Sequence, residues 1–316
     1  MERTESKVKS PEKMAKVKRI LLGGRGSYGV LGNIFIYMLL IGIGFVYLYP
    51  LLYILVNSMK DLEDLLNPMV KWIPTHIYFS NYEKAFKVLN YVPTLTQTLY
   101  VVLLSTIAQV ISSSLIGYGF ARYNFKGKNF FFILMIVTFL IPQQTLMIPR
   151  FLMFQKLGLL NSVLSFFVPA TFGQGLNQAL FILIFYQLFR MIPKSLEEAA
   201  KIDGANDFTV FARISLPLAT PAFVISFVLS MVWYWNETYL SSLYFGNAIK
   251  TLPMQLQSFV DSYRLLFPSG AVVTDRLNES VRMAGTLLTI APLLIIYFIV
   301  ERWLRESIDS VGITGE

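Results

Sequence analysis

The sequence of 316 residues contains no cysteine and one histidine, His76. It therefore has no disulfide framework, no thiolate zinc site and no thiol nucleophile, and one imidazole cannot form a metal cluster alone. Charge is scarce as well, at 15% Asp, Glu, Lys and Arg against roughly 25% in ordinary soluble domains. Against these shortages stand 55% hydrophobic and 15% aromatic residues, a composition that places the chain in a membrane. No phosphate-binding Walker A sequence occurs, so ATP is not bound through that device. Gly24-Arg25-Gly26-Ser27-Tyr28-Gly29 matches the three-glycine dinucleotide pattern in letters only. That fingerprint needs a buried strand before it and a soluble helix after it, whereas here a basic tail precedes and an apolar run follows, so a flexible linker is expected.

Six apolar runs could cross a bilayer, each needing about 20 residues: Leu31 to Met59, Val88 to Ala121, Asn129 to Pro149, Leu157 to Phe189, Ile214 to Asn236 and Met283 to Val300. Lipid offers no partners for backbone N–H and C=O groups, so these runs should be helical, giving an all-α fold of six transmembrane helices. The first run is about twice the length of a signal-peptide core and lacks a small-residue cleavage site, so it reads as a span. The expected divisions are a basic tail over 1–30, a transmembrane domain over 31–305 and a short tail over 306–316.

Basic residues outnumber acidic ones by 27 to 19. With the N-terminal tail inside, 17 Lys and Arg fall on the cytoplasmic side and 10 on the other. The cluster Lys7, Lys9, Lys13, Lys16, Lys18 and Arg19 carries most of that bias, and both termini are expected in the cytoplasm. The basic surplus thus reports sidedness, not nucleic-acid binding. The tail could also bind anionic lipid, but as a sidedness signal it needs no further role.

In the fourth run, Pro169, Gly173 and Gly175 surround the polar residues Gln174, Asn177 and Gln178. Two readings stand: a kink or break facing protein or water, or a loop end entering the membrane with the helix starting near Ala170. After this run comes Pro193-Lys194-Ser195-Leu196-Glu197-Glu198-Ala199-Ala200-Lys201-Ile202-Asp203-Gly204. Ser195 and Glu198 have the spacing of a capping box, and Gly204 suits the residue after a helix end. A helix of about two turns is marginal alone, so it needs a docking surface, either a partner protein or lipid. Asn206 or Asp207 can cap a second short helix, with Phe208, Phe211 and Ile214 on one side and Pro217 at its end.

Glu198-Ala199-Ala200, Gly204 after a three-residue gap, and Ile214-x-Leu216-Pro217 nine residues further resemble the EAA signature of binding-protein-dependent ABC importer permeases. Trp72-Ile73-Pro74, Gly119-Phe120-Ala121-Arg122, Leu157-Gly158-Leu159-Leu160-Asn161, Trp235-Asn236-Glu237 and Thr251-Leu252-Pro253 with Gln257-Ser258-Phe259 are similar to the carbohydrate branch, near its smaller maltose-type permease. The likeness runs from about residue 30 to the end. It implies the type I importer fold in a bacterial or archaeal cytoplasmic membrane. It also implies a coupling region at 193–217 that seats on an ATPase through Glu198, Ala199, Ala200, Asp203 and Gly204. Implied partners are a second, homologous permease, two cytoplasmic ATPase subunits that carry ATP and Mg, and an external sugar-binding protein; no cofactor is expected in this chain. Two features depart from that relative: a longer external segment over Asp261 to Arg282, and a short tail ending Gly312-Ile313-Thr314-Gly315-Glu316.

Sugars are held by aromatic faces and by amides or hydroxyls at ring edges. Trp233, Tyr234, Asn236 and Glu237 near the end of the fifth run, with Gln174 and Asn177, are the candidate pathway residues. An aromatic belt with a carboxylate reaching the interface would account for the same pattern. Successive helical residues face different directions, so only Trp233 with Glu237 and Tyr234 with Thr238 share a face. The six runs hold no acidic residue, and Glu237 just past the fifth is by itself too little for intramembrane catalysis or a proton relay. A permease for another solute remains an alternative, and a self-contained secondary carrier a weaker one. His76 is expected to be a solvated loop residue.

Overall fold

The computed structural model describes residues 23–24, 27–268 and 277–313. The whole N-terminal basic cluster, residues 269–276 of the long segment expected outside and the last three residues of the tail lie outside the described residues. The chain forms two units, Met1–Tyr78 and Phe79–Glu316.

In the first unit, Gly23–Gly24 (β1) pairs antiparallel with Ser27–Tyr28 (β2), so the expected linker holds a minimal hairpin. α1 follows over Val30–Ser58. Its 29 residues make about 43 Å of helix, enough to cross a hydrocarbon core of about 30 Å. The stretch after it includes α2 (Leu62–Leu66), capped by Asp61 through the Asp64 N–H. Lys60 is buried and donates from Nζ to the carbonyls of Val70 (2.7 Å) and Lys71 (2.9 Å). Burial of Asp64 raises its carboxyl pKa, but hydrogen bonds from the Thr75 hydroxyl and amide, helped by His76 and Lys60, hold it below the usual value. His76 is exposed, as expected, with Nε2 3.2 Å from Asp61.

The second unit is built around α4 (Tyr91–Arg122), preceded by α3 (Ser80–Val88). α5 (Lys128–Leu140) gives way to a 3-10 turn over Gln143–Leu146 and α6 (Met147–Lys156), bent by 98° from α5. The third run is therefore not one straight span. Pro142 has no N–H to continue the α5 ladder, and the chain turns there. α7 (Leu164–Thr171) and α8 (Gln178–Met191) share the fourth run, and α9 (Lys194–Ile202) leaves α8 at 70°. α10 (Asp207–Val210), a π turn over Phe211–Ser215 and α11 (Leu216–Leu218) lead to α12 (Thr220–Asn236) across a 73° bend. The fifth run was expected to be continuous from Ile214, with the short helix ending at Pro217. Pro217 and Pro221 both lack the N–H the ladder needs, so the α-helical repeat lapses over Phe211–Ser215 and the chain bends at Ala219. α13 (Tyr239–Phe245), α14 (Leu252–Gln257), α15 (Phe259–Leu266) and α16 (Glu279–Ile313) complete the unit.

Among the described residues three helices, Val30–Ser58, Tyr91–Arg122 and Glu279–Trp303, are long and apolar enough to cross a membrane, and counting each bent pair as one span gives up to six. α4 packs against α7, α8 and α12, and α12 packs against α16. One apolar cluster gathers Phe154, Phe166, Trp235, Tyr244, Phe245, Leu252 and Phe259; a second gathers Tyr118, Phe185, Phe189, Phe211 and Ala222. Lipid tails are as apolar as these side chains, so close packing and hydrogen bonds hold such a bundle together more than burial does.

Candidate functional site

The fourth run breaks between Thr171 and Gln178, and Ala170 belongs to the helix before the break, not to the start of the one after it. Lipid cannot satisfy the freed backbone groups; two buried glutamines do. Gln178 Nε2 donates to the Ala170 carbonyl (3.0 Å) and to Ser112 Oγ, while its Oε1 accepts from the Gly175 N–H. Gln109 on α4 donates to the Leu176 carbonyl at 3.0 Å and accepts from the Tyr234 hydroxyl at 2.7 Å. Gly175 makes this network possible: a Cβ there would collide with Gln109 Oε1 and lie 2.8 Å from Tyr234 Oη.

The break presents Asn177 to a cavity of about 650 Å³, also lined by Gln143, Gln144, Leu176, Trp233, Asn236, Glu237, Tyr239 and Leu240. That volume falls in the usual range for ligand sites, about 300–1,000 Å³. α12 ends at Asn236, so Glu237 sits past the helix, where its Oε1 accepts from the Leu240 N–H (2.7 Å) and starts α13. Of the six pathway candidates, Asn177, Trp233, Asn236 and Glu237 meet here. Gln174 lines an adjoining cleft with Arg150, Gln143 and Asn177. Tyr234 does not reach the cavity: it is buried beneath it, bonded to Gln109, because its position on α12 faces α4. Gln143, Gln144 and Tyr239 are lining residues that sequence reasoning missed. The signal for the first two was Pro142 followed by paired amides inside an apolar run.

At the other bend, α9 carries the EAA residues. Pro193 fixes the approach at φ −59 and ψ 130 and contributes no side-chain cap. The helix therefore starts at Lys194, Ser195 lies inside its first turn, and the expected capping box does not form. The far end behaves as expected. Gly204 has φ +86, its N–H bonds the Lys201 carbonyl, and the Ala205 N–H reaches back to Ala200 at 2.9 Å, a Schellman ending. Asn206 caps α10, accepting from the Thr209 N–H at 2.8 Å. Asp207 instead pairs with Lys201 at 2.7 Å. That hydrogen bond and charge hold the Asp207 carboxyl below, and the Lys201 amine above, their usual values.

Glu198, Ala199, Asp203 and Gly204 are exposed and Ala200 is half-buried. Beside them Ile202 and Phe208 are 86% and 76% exposed, an apolar surface at a place where the chain also carries charge. Glu197, which sequence reasoning passed over, points inward. Its Oε1 lies 2.8 Å from Arg122 Nε and accepts from Ser215 Oγ at 3.0 Å.

Residues 113–310 match the family of binding-protein-dependent transport system inner membrane components. The chain belongs to that family. Among its relatives, a probable ABC transporter permease protein from Pyrococcus horikoshii is 32% identical over 69% of this permease and 81% of its own length. A probable starch degradation products transport system permease protein from Thermoanaerobacterium thermosulfurigenes is 31% identical over 82% of this chain and 89% of its own. An arabinooligosaccharides transport system permease protein from Halalkalibacterium halodurans is 28% identical over 86% and 93%. The permease also shares its fold, at a TM-score of 0.69 and 24% identity, with a chain of a bacterial ABC transporter involved in the import of the acidic polysaccharide alginate, covering 88% of this chain and 99% of that one.

Proposed function

We propose that this chain is the membrane-spanning permease of an ATP-driven, binding-protein-dependent importer for a sugar or oligosaccharide. It works by alternating access with a second, homologous permease. Two cytoplasmic ATPase subunits hydrolyse ATP with Mg, and an external binding protein delivers the solute. Both termini face the cytoplasm, in keeping with the 17 to 10 division of basic residues.

The observation that carries this reading is α9. A helix of nine residues is too short to persist alone. Here it turns Glu198, Ala199, Asp203 and Gly204 outward and leaves Ile202 and Phe208 bare beside them. Such a surface suits a protein groove, and the ATPase is the partner the EAA pattern implies. The amides, Trp233, Tyr239 and Glu237 around the cavity form this subunit's wall of the pathway, a chemistry suited to a polyhydroxylated ligand. The starch-product and arabinooligosaccharide relatives support sugar as the solute class.

The test is purification of the chain from its native membrane, followed by reconstitution in vesicles. Stoichiometric ATPase subunits and ATP-dependent uptake of the sugar bound by the co-isolated binding protein are expected. Uptake by this chain without an ATPase would refute the proposal, and a binding protein loaded with a non-carbohydrate would refute the solute class.

A further inference from the structure

Arg122 ends α4, and its side chain is 5% exposed. Nε lies 2.8 Å from Glu197 Oε1 on α9, and Nη2 donates at 2.8 Å to the carbonyl of Ile192, at the bend between α8 and α9. The Glu197 side chain is 12% exposed, and its Oε1 also accepts from Ser215 at the end of the π turn. Tyr118, beside this cluster, packs edge-on or tilted against Phe189 and Phe211, with ring centroids 4.8–6.2 Å apart within the trio. One guanidinium and one carboxylate thus join α4, the α8–α9 bend, α9 and the turn leading to α12.

Burying two charges costs desolvation that their attraction recovers only with good geometry, and an apolar pair of like volume is often as stable or more so. Stability alone therefore gives weak reason for this pair. What it does supply is direction: apolar contacts permit sliding, whereas a charge pair whose members are also hydrogen-bonded to the Ile192 carbonyl and to Ser215 does not. The pair grips α9 on the face opposite its exposed EAA residues.

We infer that Arg122, Glu197 and Ser215 form a latch that makes α9 move as one body with the cytoplasmic end of α4 and with the turn before α12. They are positioning residues, which carry displacement of α9 into the helices behind the cavity. The inference rests on the proposed coupling role of α9.

The chain lacks cysteine, so spin labels at Ser195→Cys and Leu115→Cys report the α9 to α4 distance within this subunit of the assembled complex. ATP with vanadate is the probe. In the otherwise unaltered complex, trapping should leave that distance unchanged within about 1 Å. With Arg122→Met and Glu197→Met combined, the complex should assemble, because an apolar pair replaces a buried ionic one. The distance should then shift by about 2 Å or more, the size of helix shifts in switching proteins, and vanadate-sensitive hydrolysis should persist. Ser215→Ala, which leaves the charges paired, should produce a smaller shift in the same direction, and it serves alone if the double variant fails to assemble. A distance that changes in the unaltered complex, or stays fixed in every variant that assembles, would overturn the latch. Absence of any ATPase from the purified complex would instead overturn the proposed function on which it rests.

Discussion

Tyr234 and Trp233 are neighbours in sequence with opposite assignments. The Tyr234 hydroxyl is buried and donates to Gln109, so Tyr234→Phe leaves a buried acceptor unpaired, at a cost of about 1–3 kcal/mol. The expected outcome is a lower melting temperature of the complex with the KM for transport unchanged. Trp233 lines the cavity, and Trp233→Ala should raise that KM with a smaller effect on melting. A reversed pattern would show that the two roles are exchanged. At Gly204 the cause is conformational: φ is +86 and nothing lies within 4 Å of a Cβ. Gly204→Ala should therefore loosen the end of α9 by about 1–2 kcal/mol without a clash, measurable as faster amide exchange over residues 200–206.

The bond between Lys201 and Asp207 ties α9 to α10 from a half-exposed position. Asp207, with its folded pKa lowered, contributes above the ordinary carboxylate range and loses that contribution as pH falls through the lowered value. Lys201, with its pKa raised, contributes below the ordinary lysine range and loses it as pH rises through the raised value. The joint should accordingly be constant between about pH 5 and 9, and Asp207→Asn should mobilise α10, read by a spin label at Phe208→Cys.

Among the helices, the break in the fourth run shows what the sequence could and could not convey. Pro169, Gly173 and Gly175 marked the place, because each is a poor helix former with a known reason. The side chains that hold the broken ends were not legible, since Gln109 comes from α4 and only packing brings it to Leu176. The same division recurs elsewhere. Gly204 and Asn206 act within a few residues and behave as their spacing suggested, while Glu197 and Arg122 meet across 75 positions and gave no local sign. The missed 98° bend after α5 had a local sign in Pro142, outweighed by the apolar run around it. Gly175→Ala tests the network directly. Its Cβ meets Gln109 and Tyr234 at once, so a loss of about 1–3 kcal/mol should accompany collapse of transport. Gly119→Ala, with nothing within 4 Å of the new atom, should leave both near normal.

Across the whole chain, the scarcity of charge separates two regions of different work. The cavity at the end of α12 has a single carboxylate among its lining residues, whereas Lys201, Asp203, Asp207 and the exposed Glu198 crowd the α9–α10 turn. The proposed pathway wall is thus nearly uncharged and the proposed docking edge charged, as the proposed function expects of one subunit. α8 and α12 meet through Phe185 and Phe223, and α4 joins the same apolar cluster through Val110 and Tyr118.

The most direct measurement is solute uptake per ATP hydrolysed in vesicles holding the complete complex, compared with the same complex bearing Ala199→Glu on the exposed face of α9. The unaltered complex should couple uptake to hydrolysis stimulated by the loaded binding protein. The variant should insert normally and lose uptake at least about tenfold, the effect of about 1.4 kcal/mol at a docking surface, with stimulation lost as well. Normal uptake and normal stimulation in the variant would contradict the assignment of α9 as the coupling element.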